Sequence, residues 1–327
     1  MLERLRQPWP DRRAERTLGA LASVVLVLIV LMVVFVAAKA WPAIQHNGLS
    51  FFGAQGDVDQ QIGKMVNTGA RPSPSDYTIG AWPLIYATLL TTALALVAGL
   101  AFALLSAIFI VEFAPAQLRR VVVPVVRLLA AVPSVIYGLI GILVLVPFTG
   151  NHLISQSRKE SVQYVISLSG TSLLVAVAIL AVMITPIMIA IIVDALYAVP
   201  KGWKEGAIAL GVNRWRAMWT VSVRAARPAI IAGAVLACAR ALGEAIMLSM
   251  VSGSKGFAPN PLDGVTFIFE PLRPLAATIV EDADSLNAPA VSSTVYAFAL
   301  LLLIGGFVLS LAGYIAKQPM KKYGIRV

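Results

Sequence analysis

The sequence predicts an all-α polytopic membrane protein with six transmembrane helices. Three observations predict it. Hydrophobic residues make up 59% of the 327 residues, and the mean hydropathy is +0.84. Charged residues are 13%, against about a quarter in an ordinary soluble domain. Finally, six apolar segments reach the roughly 20 residues that cross a hydrocarbon core about 30 Å thick. They are 18–40, 81–111, 121–148, 170–198, 228–251 and 289–316.

The first segment follows Arg12, Arg13 and Arg16, and Ala38-Lys39-Ala40 resembles a signal-peptidase site. Its apolar run of about twenty residues exceeds the h-region of a cleaved signal, so it reads as an uncleaved anchor. Orientation follows from the loops. With the N-terminus inside, the inner segments 1–17, 112–120, 199–227 and 317–327 hold seventeen of the 26 Lys and Arg residues. The outer loops 41–80, 149–169 and 252–288 hold six, and Lys39, Arg127 and Arg240 lie within helices. Lys and Arg collect on the cytoplasmic side, so both termini are expected there. The same bias explains the net charge of +10, and no basic stripe with exposed aromatics points to nucleic acid.

The outer loops carry prolines at 42, 72, 74, 259, 261, 271 and 274, with acids Asp263, Glu270, Glu281, Asp282 and Asp284. They are either docking surfaces for an external partner or solvated connectors. Within the spans, Pro133 and Pro186 each remove a backbone donor, which produces a hinge or a passive kink. Cys238 stands alone, so no intrachain disulfide forms. His46 and His152 have no neighbours at metal-ligand spacing.

The inner loop 199–227 is the most informative stretch. Pro200 starts a new short helix. Trp203, Ala207 and Leu210 share one face at i, i+4, i+7. Gly211 is placed for a left-handed stop and Asn213 to cap the next helix. This amphipathic helix either fills a groove on another protein or lies flat in the lipid interface.

Glu205-Gly206-Ala207, three residues, Gly211, nine residues and Val221 resemble the EAA loop of ABC-importer permeases. Gly206 stands where that family has its first Ala, and Val223-Arg224 where it has Leu-Pro. The resemblance implies a coupling helix seated in a cleft of a nucleotide-binding subunit. Glu205, Gly206, Ala207 and Gly211 would then sit at the ATPase contact.

Arg240 and Glu244 fall inside the fifth segment, about twelve residues and a turn more beyond Pro228. A mid-membrane charge costs at least about 3 kcal/mol, so it must face a partner or a water-filled path. An i, i+4 spacing on one helix places both on one face. They form either an internal ion pair or an anion-handling pair, the guanidinium being a forked donor that stays charged. Arg127 reads as snorkelling to the inner surface. Glu112 and Asp194 end the second and fourth helices and read as solvated at the interface.

Arg240-Ala241-Leu242-Gly243-Glu244, with Val132-Pro133-Ser134-Val135-Ile136-Tyr137-Gly138-Leu139, is similar to the PstC-type permeases of phosphate importers over residues 80–316. That likeness implies the type I, MetI-like permease fold. A five-helix core over 81–316 would hold the coupling loop 199–227 and the external loop 252–288. A first helix with its loop would fill 18–80, and cytoplasmic tails 1–17 and 317–327. It implies Arg240 and Glu244 as residues of the phosphate pathway. It implies as partners a second related permease in a heterodimer, two ATP-binding subunits and an external phosphate-binding protein. The implied location is a bacterial plasma membrane. ATP and magnesium would be bound by the partner ATPase and no cofactor by this chain. No Walker A frame, nucleophile elbow or His-Glu-x-x-His is present, so the chain is not expected to be an enzyme. Other oxyanions, sulfate or molybdate, and an ATP-independent secondary transporter are the alternative functions.

Overall fold

The computed structural model describes residues 12–54, 56–69 and 72–321. Among them, six helical stretches are long and apolar enough to cross a bilayer: Glu15–Phe52, Pro74–Phe113, Ser134–Leu153, Leu173–Ala198, Arg214–Leu242 and Pro289–Ala316. The chain is a multi-pass, all-helical membrane protein. The tails expected at 1–17 and 317–327 lie outside the described residues, apart from their helical ends at 12–17 and 317–321.

The first helix, α1 (Arg12–Asn47), runs beyond the expected end at residue 40 and contains Pro42. Its residues from Leu18 to Phe35 are largely exposed, as suits a helix that faces lipid on most sides. It packs on the last helix, and the short α2 (Val58–Val66) lies in the loop between it and α3. Trp82-Pro83 opens α3 (Trp82–Ile108), proline being tolerated in the first turn where its missing N–H has no helical partner. A π turn, Phe109–Phe113, ends that span.

The third span departs from expectation. Residues 121–148 are not one helix. An outer-lying α4 (Ala116–Ala130) with no buried residue stops at Ala131, and a second helix, α5 (Ser134–Ile140), starts after Pro133. Pro133 lacks an N–H, and it pushes Val132 out of the helical region. The proline therefore ends one helix and begins another instead of kinking a single one. The spanning piece continues from α5 through a π turn (Gly141–Leu145), α6 (Val146–Phe148) and a second π turn (Thr149–Leu153). A surface helix, α7 (Gln156–Val162), follows.

The centre of the bundle is α8 (Leu173–Ala198), capped by the Ser172 hydroxyl, which accepts from the Val175 N–H at 3.4 Å. Its buried residues run round the whole circumference, the mark of a core helix. At Gly99 an added Cβ would lie 2.9 Å from Met188 and 3.1 Å from Thr185. The absent side chain is what lets α3 and α8 approach closely.

The fifth span also differs. After the inner-surface helix α9 (Lys201–Ala209), a continuous helical run begins at Arg214, well before Pro228. It comprises α10 (Arg214–Ala217), a π turn (Met218–Val223) and α11 (Arg224–Leu242). The π turn re-spaces the hydrogen-bond ladder upstream of the proline, which sits inside α11. The helix stops at Gly243, and α12 (Ile246–Val251) is a separate piece. The outer loop 252–288 carries a 3-10 stretch (Pro261–Phe269) and α13 (Leu275–Glu281). Finally α14 (Pro289–Lys321) closes against α1 and α11.

Candidate functional site: two facing helix breaks and an inner-surface helix

The short helix α9 matches its sequence signals closely. Pro200 precedes α9. Gly211 adopts φ +84, a conformation costly for any residue with a Cβ. Its N–H donates to the Ile208 carbonyl at 2.9 Å, and that of Val212 to the Ala207 carbonyl at 3.2 Å. These paired bonds form the Schellman closure. The Asn213 side chain accepts from the Arg216 N–H at 2.8 Å and caps α10. Of the apolar ridge, Ala207 is half-buried, whereas Trp203 is 54% and Leu210 86% exposed. Glu205, Gly206 and Gly211 are exposed beside them. This chain leaves the ridge uncovered.

An anchor holds the helix. Lys204 Nζ lies 2.6 Å from Glu112, whose side chain is only 5% exposed. Glu112 is therefore not the solvated interfacial acid that sequence suggested. Arg119 binds the same turn, donating to the carbonyls of Ile110, Val111 and Ala114 at 3.0–3.1 Å, which are orphaned at the helix end. Arg127 pairs with Asp194 at 2.9 Å. Both are more than half exposed, and such a pair contributes little.

Arg240 and Glu244 do not share one helix face. Arg240 is in the last turn of α11, and Glu244 lies in the break before α12. They make no ion pair with each other. The half-buried Arg240 reaches across to α4 and donates from Nη1 to the Ala130 carbonyl at 3.3 Å. Ala130 is the last residue of α4, so its carbonyl lacks a helical donor, and a cation is favoured there. One residue earlier, the Leu129 carbonyl accepts from the Tyr137 hydroxyl at 3.0 Å. Glu244 is buried, and its Oε1 accepts from the Met247 N–H at 3.1 Å. A carboxylate just ahead of a helix N-terminus is well placed electrostatically.

Two interruptions, at Ala131–Pro133 and Gly243–Ala245, thus lie against each other. Beyond them α5 and α12 pack closely. A Cβ at Gly138 would sit 3.2 Å from the Met247 Cα, and one at Gly141 2.6 Å from Val251. Discontinuous helices that meet within the membrane expose backbone ends to a pathway, and transporters place anionic groups there. Sequence reasoning singled out Pro133 and Arg240 separately. It missed Tyr137 and the Ala130 carbonyl, because no local pattern says which helix end a distant arginine reaches.

A buried arginine joins the loops 41–80 and 252–288. Arg273, with its side chain 8% exposed, pairs with Asp59 at 3.2 Å, Glu281 at 2.6 Å and Asp282 at 3.0 Å. The second Asp59 oxygen accepts from the Gly256 N–H, and Glu281 accepts from the Ser254 hydroxyl. One cation thereby holds α2, α13 and the start of loop 252–288 together. Arg273→Met is expected to lower stability by about 3–5 kcal/mol, because three acids lose their shared counter-charge. Thermal unfolding of the purified protein in detergent checks this. A melting temperature within a degree of wild type contradicts the assignment.

Glu270, 4% exposed, faces Asp263 on its own loop and Tyr86 on α3, and among the described residues no cation pairs with it. Burial raises its pKa, the nearby Asp263 adds to this, and the Asn260 N–H at 3.2 Å works against it. A carboxyl with a raised folded-state pKa binds its proton more tightly folded than unfolded. Stability is then greatest at low pH and falls as pH rises from the unfolded pKa through the folded one. Hydrogen-exchange protection of 260–269 is expected to rise as pH is lowered through the raised folded-state pKa toward the ordinary carboxylate range, and the slope to flatten in Glu270→Gln. An equal slope in both proteins removes Glu270 as the cause.

Among the described residues no group of three or more His, Cys, Asp and Glu side chains could hold a metal ion.

Residues 99–322 match the family described as binding-protein-dependent transport system inner membrane component. The chain is 33% identical to the phosphate transport system permease protein PstC 1 of Mycobacterium tuberculosis, over 89% of this chain and 87% of that one. It is 33% identical to the probable ABC transporter permease protein YqgH of Bacillus subtilis, over 77% and 74% of the two chains. Among solved structures, the MetNI methionine ABC transporter in inward-facing conformations is similar at 18% identity and a TM-score of 0.46. That match covers 72% of this chain and 94% of the other.

Proposed function

The chain belongs to the family of inner membrane components of binding-protein-dependent transport systems, and on that premise we propose that it is the permease subunit of a phosphate importer. One observation carries the anion reading. Among the described residues no carboxylate pairs with Arg240, which lies in a membrane-spanning helix and rests on a backbone carbonyl at two facing helix breaks. A guanidinium held by one neutral acceptor at 3.3 Å keeps most of its donors for an oxyanion that arrives along the path. Glu244, spent on the α12 N-terminus, fixes the break on which Arg240 is mounted.

This chain is the conduit and its energy comes from elsewhere. The exposed ridge of Trp203 and Leu210, with Glu205, Gly206, Ala207 and Gly211 beside it, docks into an ATP-hydrolysing subunit that binds ATP and magnesium. Two such subunits serve this permease and a second, related one paired with it as a heterodimer. An external binding protein delivers phosphate to the loops joined by Arg273. Both termini lie on the cytoplasmic side of a bacterial plasma membrane. ATP binding turns the pathway outward, and hydrolysis returns it inward.

Radiolabelled phosphate uptake at micromolar phosphate tests this in cells lacking and regaining the chain. Uptake is expected to require the chain and ATP, and to persist in excess sulfate or molybdate. Equal competition by sulfate transfers the reading to another oxyanion. Uptake that continues after ATP is depleted, driven by an ion gradient, overturns the importer reading.

A further inference from the structure

We infer that the groove between α3 and α14 is a binding site for one phospholipid acyl chain, inserted from the leaflet that meets Trp82. The groove has a volume of about 260 Å³. Its walls are Ile85 and Leu89 from α3 and Leu301, Leu302 and Gly305 from α14, and Leu242 at the end of α11 also lines it. At its mouth stand Phe52 and Trp82, 50% and 44% exposed. Trp82 stacks on Tyr86, the aromatic pairing expected where a helix enters the headgroup region.

Three features select the occupant. The lining offers no polar group to a guest. Its one hydroxyl, Thr88, already donates to the Leu84 carbonyl at 2.8 Å and accepts from the Leu275 N–H at 2.8 Å. An apolar cavity without polar partners does not hold water. The groove is also elongated along its two walls, lined from Trp82 to Leu89 on α3 and from Leu301 to Gly305 on α14, both membrane-spanning helices. Finally, Leu89 is 56% exposed on the wall, so the groove opens sideways to the surrounding lipid, where hydrocarbon chains are the solvent. A chain seated there fills contacts that packed protein otherwise supplies.

The site has a mechanical consequence. Leu242 is the last residue of α11, next to the Gly243 break and two residues from Arg240. A seated acyl chain therefore braces the end of the helix that carries Arg240. Lipid binding itself does not depend on the phosphate reading.

Glycine geometry supplies the test. At both Gly305 and Gly306 an added Cβ meets nothing within 4 Å, and only Gly305 lines the groove. The whole transporter, with its partner subunits, is released from mild detergent for native mass spectrometry, and the retained phospholipids are counted. Wild type and Gly306→Phe are expected to retain one phospholipid more than Gly305→Phe. Leu302→Trp fills the groove from another wall and replaces Gly305→Phe if that variant does not assemble. Equal retention in every protein overturns the site. So does an efficient cross-link from Gly305→Cys to the second permease, which makes the groove a seam between subunits. Phosphate uptake is scored separately, so a failed lipid site leaves the transport reading untouched.

Discussion

Arg240→Ala is expected to lower phosphate uptake at subsaturating phosphate by about 30-fold or more at normal membrane levels. The estimate follows from chemistry. Removing one partner of a desolvated, hydrogen-bonded charge pair costs roughly 2–5 kcal/mol, and 2 kcal/mol is about 30-fold. In this structure the arginine loses only a 3.3 Å bond to the Ala130 carbonyl, so folding is expected to suffer far less than transport. Arg240→Lys is expected to recover part of the activity, since an ammonium keeps the charge without the planar fork. Arg127→Ala is the control. Its exposed pair with Asp194 is worth little, and uptake is expected to stay near wild type. Should Arg240→Ala transport within twofold of wild type, the arginine is a helix-end tie and nothing more.

The second large effect is expected at the inner surface. Leu210 is 86% exposed at the end of α9, so Leu210→Asp disturbs almost nothing within this chain. If the ridge seats in the ATPase subunit, a central apolar anchor is lost and a charge is buried, at about 2 kcal/mol or more. Roughly 30-fold weaker capture of the ATPase subunit is expected, with uptake lost in parallel. A helix lying flat in lipid gives the opposite pattern, because the ATPase then co-purifies at wild-type yield. Gly211→Val tests the same contact through geometry. At φ +84 a β-branched residue is strained by about 1–2 kcal/mol, which tilts α9 without altering its ridge.

Much of this was legible in the sequence, for identifiable reasons. The six apolar segments could be counted because a bilayer demands about twenty apolar residues whatever the tertiary structure. The stop at Gly211 and the cap at Asn213 were legible because both are local chemistry, complete within five residues. Pro133 and Pro228 show where that reading fails. Each removes one N–H, yet the first separates α4 from α5 and the second sits inside α11. What differs is the neighbourhood. Val132-Pro133 follows a helix too charged to be buried, whereas Pro228 follows a π turn that re-spaces the ladder. The arginine and glutamate were found from their cost in lipid, but their partners were not. Ala130, whose carbonyl accepts from Arg240, lies 110 positions away, and a pairing across that distance leaves no trace in spacing. The same holds for Arg273, whose partner Asp59 is 214 positions distant.

The paired interruptions also bear on how fast such a protein cycles. Swinging half of an intact helix ruptures backbone bonds in a place where no water replaces them, each at several kcal/mol. At 131–133 and 243–245 the regular ladder already gives way to a few turn bonds, such as Ala131 N–H to the Leu128 carbonyl and Glu244 N–H to the Ala241 carbonyl, so a rigid half pivots with fewer backbone bonds to break. Besides those turn bonds, a few side-chain ties hold the breaks: Arg240 on Ala130, Tyr137 on Leu129 and Glu244 on Met247. Turnover becomes tunable one side chain at a time. Tyr137→Phe, which deletes a single tie and no charge, is the variant in which the cycle itself should quicken.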